Sequence, residues 1–466
     1  MKRIFSFLSV IVFSFIMLSA CGGNDLDKEI SYDIIKDLEG IDFVIWQGSA
    51  ISNVFMYKEN TTLADDALER IDYIEQVFNC DVIIEMGGDD AELNKKVLAL
   101  MAVGDGSCDA FVARSHLLRP IGNAQGLVPM EDVEHIMDFH DRQKWGELNA
   151  QELMMCKGTL YGLIPVAWPD MFPEVYYMLI TNNEIIKNHG GIDPREYIET
   201  KTWNRDTFEK SIQDYTYLGA SENETIYGIS AAPMHLVRMA LLGNGVEYVV
   251  SNGEGSYKSG FDTDEAIEGL TWLQNLLKNN KECFVLGGKN GDDVWSSFST
   301  PFKESRASMY LTNSRIFFNE VTFEIKDFAV LPFPTGPSGE YGKWPAAYES
   351  TQAVAIPIFA EDIDVSAMVL DEMFKPLNKY PDYESLMSRY KNQVFDDQRD
   401  IDMMMSIGNN ARYSYWIEGG DGALWNISNN YLNGSPANLI KSHIGTMKKT
   451  IDEAILPNDQ NMDRYR

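Results

Sequence analysis

The residues of this sequence best suited to chemistry are aromatic and polar side chains that fall together in predicted loops. Trp46 ends an apolar run and is followed by Gln47 and Ser49. The flat face of an indole ring packs against the C–H surface of a sugar, and amide and hydroxyl groups hydrogen-bond to hydroxyls. Most buried tryptophans instead serve core packing, so both roles stay open for Trp46. For Gln47 and Ser49 the alternative is ordinary solvated loop chemistry, and all three residues are candidates for ligand binding.

Similar aromatic and polar groups occur elsewhere in the chain. Trp168 follows the proline of a predicted hairpin, and Trp295 lies in a loop rich in serine and aspartate. Trp416 ends a short stretch that holds three aromatic residues and one arginine. Arg114 and Ser115 follow another predicted strand, where ordinary solvated loop chemistry is the alternative. We treat all five residues as candidates for ligand binding.

Motifs for covalent or metal chemistry do not occur in the sequence. There is no GxSxG, HExxH or CxxC, and His135 and His140 are five positions apart. We therefore expect no catalytic residues, no metal and no cofactor. A glycoside hydrolase needs only two carboxylates roughly 5 to 10 Å apart in a cleft. With 70 acidic residues, sequence spacing does not test for such a pair, so this enzyme stays open as the least favoured alternative.

The chain begins with two basic residues and an apolar run over residues 4–17. That run is shorter than the roughly 20 residues that a membrane span needs, so it predicts a signal peptide rather than an anchor. It ends in Leu18-Ser19-Ala20-Cys21, which resembles the lipobox of bacterial lipoproteins. The resemblance implies cleavage after residue 20, a lipid on Cys21 and a tether over residues 21–38. We expect an exported chain held by lipid on the extracellular face of the cell membrane.

Composition limits the class of protein. A chain of 466 residues with 45% apolar and 12% aromatic content predicts a well-folded protein of two or more lobes. The 39 basic and 70 acidic residues give a formal net charge of −31. Such a surface repels nucleic acid, so a nucleic-acid partner is excluded. The acids are dispersed along the chain, which favours a role in solubility.

The cysteines other than Cys21 are widely spaced. They are Cys80, Cys108, Cys156 and Cys283. An exported protein permits disulfides, but spacing does not distinguish pairs from buried free thiols. Both possibilities stay open.

Apolar runs and helical periodicity alternate in the first part of the chain, which predicts a parallel α/β lobe. Strands are predicted at 43–46, 81–85 and 109–113. The helix between the first two strands is capped by Thr62 and has an apolar stripe at Leu68, Ile71, Ile74 and Phe78. The helix before the third strand has an apolar face at Leu93, Val97, Leu100 and Met101. Later elements are a hairpin at 157–165, strands at 175–180 and 308–311, and helices that begin near 206 and span 261–277. Ligands of open α/β sheets sit outside the carboxyl ends of strands, which points to a site facing a second lobe.

Seven stretches, taken in order, resemble the motifs of the family 1 extracellular solute-binding proteins of ABC importers, the family of maltodextrin-binding protein. They are 44–48, 102–111, 124–130, 158–165, 201–208, 302–310 and 329–337. Two stretches depart from the family pattern. Thr181-Asn182-Asn183 replaces a tyrosine-asparagine-lysine, and Ser305 replaces a glycine.

The resemblance implies an α/β, two-lobed periplasmic-binding-protein-like fold of type II, in which each lobe is discontinuous in sequence. It places lobe 1 at 39–170 plus 346–395 and lobe 2 at 171–345 plus 396–466. Hinges are expected near Trp168 and between Trp344 and Tyr348. The partners that it implies are a small-molecule solute, the transmembrane subunits of an ABC permease and the membrane, reached through the lipid. The protein itself is expected to be a monomer.

The resemblance also adds candidate ligand contacts. Asn313 and Arg315 follow a strand at a position that carries such contacts in the family, and Trp344 and Tyr348 fall at the second hinge. The implied function is capture of a sugar or oligosaccharide by closure of the lobes and delivery to a permease. The alternatives are a non-sugar solute on the same fold, and a surface protein that captures or senses glycans without transport.

Overall fold

The structure is a computed structural model that describes residues 33–48, 62–86, 90–104, 106–146, 151–166, 175–253, 256–286, 296–317, 321, 324–348, 351–382, 384–385, 388, 394–413 and 420–455. The strands are β1 (Ile41–Gln47), β2 (Cys80–Met86), β3 (Ala110–Arg114), β4 (Met155–Cys156), β5 (Thr159–Leu160), β6 (Val175–Asn182), β7 (Ile229–Ser230), β8 (Val249–Gly253), β9 (Ser256–Ser259), β10 (Phe284–Val285), β11 (Met309–Asn313), β12 (Phe328–Pro332), β13 (Ala347–Tyr348), β14 (Gln352–Ala355) and β15 (Arg412–Tyr413). The helices are α1 (Thr62–Phe78), α2 (Asp90–Leu100), α3 (Ser115–Asn123), α4 (Arg142–Trp145), α5 (Asn183–Asn188), α6 (Arg195–Glu199), α7 (Arg205–Asp214), α8 (Pro233–Leu242), α9 (Asp264–Asn279), α10 (Ser296–Lys303), α11 (Ser314–Ile316), α12 (Ile363–Met373), α13 (Gln398–Asn410), α14 (Gly420–Asn430) and α15 (Pro436–Thr450).

The first sheet has the strand order β14–β3–β1–β2. β1 runs parallel to β2 and to β3, with α1 and α2 as the intervening helices. This arrangement confirms the predicted parallel α/β lobe. β14 comes from much later in the chain and lies antiparallel to β3, so the sheet is completed by a returning segment.

The apolar stripe predicted on α1 is correct at three positions and wrong at one. Ile71, Ile74 and Phe78 are buried, whereas Leu68 is 52% exposed. At 3.6 residues per turn, Leu68 lies about a quarter turn away from the centre of the buried face. Arg70, which the pattern left out, is 7% exposed because its guanidinium bonds to backbone carbonyls of residues 372 and 376.

The second sheet has the order β10–β7–β11–β6–β13–β15. β6 is its central strand. β11 lies antiparallel along one side of β6, and β12 and β13 follow each other along the opposite side, also antiparallel. β7 runs parallel to both β10 and β11.

Local sequence explains where elements of the second lobe begin. Trp203 is fully buried and its indole N–H donates to the carbonyl of Pro332 at 2.9 Å. The next residue, Asn204, caps α7 by accepting from the backbone N–H groups of Asp206 and Thr207, and the Thr207 hydroxyl closes a capping box. Trp203 is therefore a core residue that fixes the entry into a helix.

The described apolar residues form two separate hydrophobic clusters, one under each sheet. The first cluster draws on residues 38–164 and 353–377, and the second on residues 177–347 and 404–451. The chain passes between the clusters after Val166, after Tyr348 and after Leu377. We call these passages the first, second and third crossings. Tyr348 and Tyr380 pack against both clusters. The exact lobe boundaries stay a prediction, and the hinge expected at Trp168 lies outside the described residues.

The four cysteines after Cys21 are free and buried. Burial raises the pKa of the Cys80 thiol to about 11 and that of Cys108 to about 12, and it also raises those of Cys156 and Cys283. The question that spacing left open is therefore answered in favour of buried thiols. In the described part of the chain, no helix has the length and apolar character that a membrane crossing requires.

Candidate functional site

Strand direction brings several predicted site residues to one end of the first sheet. The parallel strands β1, β2 and β3 end at Gln47, Met86 and Arg114, and the antiparallel β14 begins there at Gln352. We call this row of strand ends the first cleft edge. In open α/β sheets, the carboxyl ends of the parallel strands are the usual place for a ligand.

The second sheet has a corresponding row. The parallel strands β7, β10 and β11 end at Ser230, Val285 and Asn313, and the antiparallel β6 begins there at Val175. We call this row the second cleft edge. β13 runs antiparallel to β6 and ends at Tyr348 at the same end of the sheet.

A short connection brings the two cleft edges close to each other. Tyr348 belongs to the second sheet and Gln352 to the first. Their positions differ by four, and four extended residues span at most about 14 Å. The earlier connection, from Val166 to Val175, also ends at the second cleft edge. A solute held between the lobes would therefore contact strand ends from both sheets.

Trp46 lies at the first cleft edge, but its ring is covered. It is 2% exposed, and its indole N–H donates to Glu85 Oε2 at 3.1 Å. The Lys96 ammonium lies 3.4 Å from the ring centroid, and the rings of Phe111 and Phe359 lie 6.0 and 6.4 Å away. In this conformation, the ring serves the core, as the packing alternative expects.

The polar residues beside Trp46 differ in their roles. Gln47 is fully buried, and Arg114 is partly exposed. Ser115 is 1% exposed and bonds to the connection between the lobes: its N–H donates to the Thr351 carbonyl at 2.8 Å, and its hydroxyl accepts from the Thr351 N–H at 3.4 Å. Ser115 therefore attaches the end of β3 to the second crossing.

Asn313 and Ser314 perform a similar structural task at the second cleft edge. Asn313 is 6% exposed, and its side-chain oxygen accepts from the Ile316 N–H at 2.8 Å, which caps α11. The Ser314 hydroxyl accepts from the Val175 N–H at 3.0 Å, where the first crossing enters the lobe. The backbone of Arg315 lies in α11, and its side chain is outside the described residues.

The two aromatic candidates at the second hinge have different surroundings. Trp344 is 5% exposed and packs edge-to-face on Tyr341 at 4.9 Å, inside the second cluster. Tyr348 is half-buried, contacts both clusters and donates its hydroxyl to the Gly408 carbonyl at 3.4 Å. Tyr348 therefore has the interlobe position expected of a hinge aromatic. Of the remaining predicted residues, those outside the described part of the chain are Cys21, Ser49, Trp168, Trp295 and Trp416.

A buried polar group that the sequence analysis missed stands at the start of α8, directly after β7. Arg238 Nη1 donates to the Tyr177 hydroxyl at 2.8 Å, and the ring of His235 lies 4.9 Å from that of Tyr177. Burial, together with the positive charge of Arg238, lowers the pKa of His235 to about 3, so its imidazole is neutral. The available signal was the i, i+3 spacing of His235 and Arg238, which puts both on one helix face.

Neither a metal site nor an ionic ligand site emerges elsewhere in the described residues. They contain no cluster of His, Cys, Asp or Glu suited to a metal ion. A cavity of about 300 Å³ lies on the flank of the first lobe, between α1 and residues 372–379. Its charges pair with one another, Lys379 with Asp66 and Lys375 with Glu372. This cavity holds the start of the third crossing and contributes none of the predicted site residues.

Solved structures of transport proteins share this fold along nearly their whole length. The GacH receptor of Streptomyces glaucescens, solved without ligand and with acarbose, has a TM-score of 0.61 at 14% identity, covering 89% of this chain and 99% of its own. Lmo0181 from Listeria monocytogenes, an ABC substrate-binding protein in complex with cycloalternan, has a TM-score of 0.60 at 14% identity, covering 89% and 100%. An ABC-transporter solute-binding protein from Agrobacterium vitis with bound D-mannitol has a TM-score of 0.54 at 14% identity, covering 89% and 99%.

Comparison at the level of sequence adds nothing to this result. No family model matches the chain, and no curated protein matches it either. The likeness is therefore one of fold, and these three proteins are described as a receptor, a substrate-binding protein and a solute-binding protein. The resemblance drawn from the sequence motifs is confirmed at this level: the chain has the two-lobed α/β fold of the solute-binding proteins of ABC transporters.

Proposed function

We propose that this protein is the extracellular solute-binding component of an ABC transporter and that it captures a sugar or oligosaccharide between its lobes. The observation that carries the proposal is the closely connected pair of cleft edges on a fold shared, over 89% of this chain, with proteins solved in complex with acarbose or cycloalternan. Buried amide and hydroxyl groups and the partly exposed guanidinium of Arg114 lie at these edges, as recognition of a polyhydroxylated solute requires.

Capture follows from a shift between open and closed arrangements. A solute that contacts both cleft edges binds the closed arrangement more tightly than the open one, so it drives closure. The three crossings act as the connections about which the lobes move. Closure then presents one surface to a membrane permease. No covalent step is needed, and we infer that the protein is not an enzyme.

The lipobox-like ending of the leader supports attachment to the membrane through Cys21. In this proposal, the mature chain is tethered on the extracellular face of the cell membrane by lipid. Tethering keeps the binding protein near its permease, because a free protein without a confining outer membrane would diffuse away. Replacing Cys21 with serine should release the protein into the medium, and metabolic labelling with a fatty acid should lose its signal on this chain.

A non-sugar solute is the second candidate. One protein with this fold was solved with D-mannitol, which is a polyol rather than a sugar. The buried polar groups at the cleft edges suit the hydroxyls of a polyol as well as those of a sugar. Acyclic polyols therefore belong in any ligand panel.

The direct test uses the chain truncated to begin after Cys21. Its melting temperature and tryptophan emission would be followed against mono- and oligosaccharides, including maltotetraose, D-tagatose and cycloalternan, together with D-mannitol. A ligand that binds only the folded state raises the free energy of unfolding by about 2.7 kcal/mol at a hundredfold excess over Kd. A saturable shift with one glycan class, with no product formed, supports the proposal. No shift with any saccharide would reject the sugar assignment, and product formation would indicate an enzyme.

A further inference from the structure

Two buried polar atoms at the cleft edges have no hydrogen-bond partner within the described part of the chain. They are the side-chain oxygen of Gln352 and the hydroxyl of Thr312. Gln352 is 5% exposed and Thr312 is 1% exposed. Each belongs to a strand and lies within one position of a cleft edge, one in each lobe.

These two atoms differ in their place in the fold from other buried polar atoms of the described residues that lack a hydrogen-bond partner. Ser366 and Ser428 lie within helices α12 and α14, Asn244 follows the end of α8, and Arg205 begins α7. None of these four belongs to a strand end that faces the other lobe. Gln352 begins β14 directly opposite Arg114, and Thr312 pairs with Met178 just before β11 ends.

Leaving such atoms without partners reduces the stability of the folded chain. A buried donor or acceptor that loses its bond to water and gains none in the protein is unfavourable, whereas an apolar group of the same shape would be neutral or stabilising. Methionine has nearly the shape of glutamine, and valine that of threonine. A polar residue retained at such a cost is expected at a functional site.

The backbone at the second cleft edge gives an independent indication. The register between β11 and β6 shifts between Thr312, which pairs with Met178, and Asn313, which pairs with Tyr176. A bulge of this kind redirects side chains and is over-represented beside functional sites. It falls at Tyr177, whose hydroxyl accepts from Arg238.

One buried residue of the same type elsewhere in each lobe has its side chain hydrogen-bonded within the protein. The Thr181 hydroxyl, at the opposite end of β6, donates to Asn183 Oδ1 at 2.7 Å and accepts from the Ala329 N–H at 3.1 Å. The side-chain oxygen of Gln151 accepts from the Ile164 N–H at 2.7 Å, and its amide donates to the carbonyls of Trp145 and Ile164. Both are buried. The fold therefore satisfies buried Thr and Gln side chains where no ligand is expected.

We propose that Gln352 and Thr312 hydrogen-bond to hydroxyl groups of the solute, one from each lobe. This inference rests on the proposed function and makes it specific. The Gln352 oxygen only accepts, so it selects a group that donates. The Thr312 hydroxyl both donates and accepts, which suits a second hydroxyl. The solute class is then neutral and polyhydroxylated. Because the two bonds come from different lobes, both form only when the lobes close on the solute.

The test compares two pairs of variants in the chain truncated after Cys21. Thr312→Val and Gln352→Met remove the unpartnered atoms, and Thr181→Val and Gln151→Met remove bonded ones. Each variant is measured for its melting temperature without ligand and, by calorimetry, for its Kd toward maltotetraose, D-tagatose and D-mannitol. Both cleft-edge variants are expected to melt at or above the wild-type temperature and to bind about tenfold more weakly. Both controls are expected to melt lower with unchanged Kd.

Two results would overturn the inference. One is a cleft-edge variant that melts as far below the wild type as its control, since this would show that the polar atom was bonded within the fold. The other is a cleft-edge variant with the affinity of the wild type. If the wild type binds none of the three probes, the sugar and polyol classes of the proposed function fail instead. The melting temperatures without ligand then show whether the Gln352 oxygen and the Thr312 hydroxyl have hydrogen-bond partners within the fold.

Discussion

Asp400 is a carboxylate held inside the second lobe. It is 2% exposed, it accepts from the Val330 N–H at 2.8 Å, and it lies 3.2 Å from Arg195 Nε. Arg195 also pairs with Asp397 at 2.8 Å and donates to the Phe328 carbonyl. These bonds join the beginning of α13 to β12 and α6, and so they fix the third crossing where it enters the second lobe.

The surroundings of Asp400 predict a pH dependence of stability. Burial raises its pKa from 3.8 to about 6, which corresponds to about 3 kcal/mol of unfolding free energy. The folded state therefore binds more protons than the unfolded state between pH 4 and 6, so this group's contribution to stability falls as pH rises through that range. Asp400→Asn should remove this loss. Denaturant unfolding at a series of pH values would measure the free energy of unfolding of both proteins. Parallel plots of that free energy against pH would contradict the raised pKa of Asp400.

A second effect in the same network has the opposite sign. Hydrogen bonds from Arg399 and the charge of Arg195 lower the pKa of Asp397 to about 2. Its contribution is present above pH 4 and is lost as pH falls toward 2. Asp397→Asn should therefore flatten the acid limb below pH 4, and it should weaken but not abolish the loss of stability between pH 4 and 6, because the Asp397 charge contributes to the raised pKa of Asp400. The Asp400→Asn variant is the matched control, because it alters the higher range.

The free thiols predict that the redox state has no effect on the folded protein. Burial raises the pKa of every one of the four, so the reactive thiolate is scarce at neutral pH. In the chain truncated after Cys21, a thiol reagent should label four groups only after denaturation. The melting temperature should be the same with and without reductant. A fall of the melting temperature in reductant would reveal a disulfide.

At the scale of elements, close approach of backbone segments limits which residues are tolerated. A Cβ at Gly162 would lie 2.5 Å from the Val354 carbonyl oxygen and 2.8 Å from Met154 Cε, next to the single bridge between Leu163 and Val354 of β14. Gly162→Ala should lower the free energy of unfolding by about 1–3 kcal/mol. Gly445 in α15 has open space around its Cβ position, so Gly445→Ala should raise it by about 0.5–1 kcal/mol. Equal effects of the two changes would contradict this packing.

The start of α7 gives a matched test of capping. Asn204→Ala removes the acceptor of two backbone N–H groups and should lower the free energy of unfolding by about 1 kcal/mol. Asn204→Asp keeps the acceptor and adds a charge at the positive end of the helix, so it should cost little. Chemical denaturation of the three proteins measures both differences. A loss with aspartate equal to that with alanine would show that the cap is not the cause.

The helices and strands with a regular apolar pattern could be predicted from the sequence, whereas the candidate site could be predicted only in part. Strand β1 follows from its continuous apolar run and helix α2 from its 3.6-residue spacing, because these apolar side chains must be buried. Whether a tryptophan at a strand end is covered depends on residues far along the chain. Trp46 is covered by Lys96 from α2 and by Phe359, which follows β14. The buried pair of His235 and Arg238 on α8 was missed for the same reason, because its partner Tyr177 lies far away in the sequence, on strand β6.

At the scale of the whole molecule, two hydrophobic cores are joined by three crossings of the chain. Each core is complete within its own lobe, so motion about the crossings leaves both intact. Within the described ranges, Tyr348 and Tyr380 pack against both cores. The polar cleft edges lie where two crossings leave the sheets. This architecture allows a solute to stabilise one relative arrangement of the lobes without disturbing the fold of either.

The measurement that tests closure most directly is small-angle X-ray scattering of the truncated chain, titrated with the panel member that raises its melting temperature. Closure around a solute predicts a saturable decrease in the radius of gyration, with a midpoint at the same concentration as the thermal shift. Thr312→Val and Gln352→Met should move both midpoints together to higher concentration. A thermal shift without any change in the radius of gyration would contradict capture by closure of the lobes.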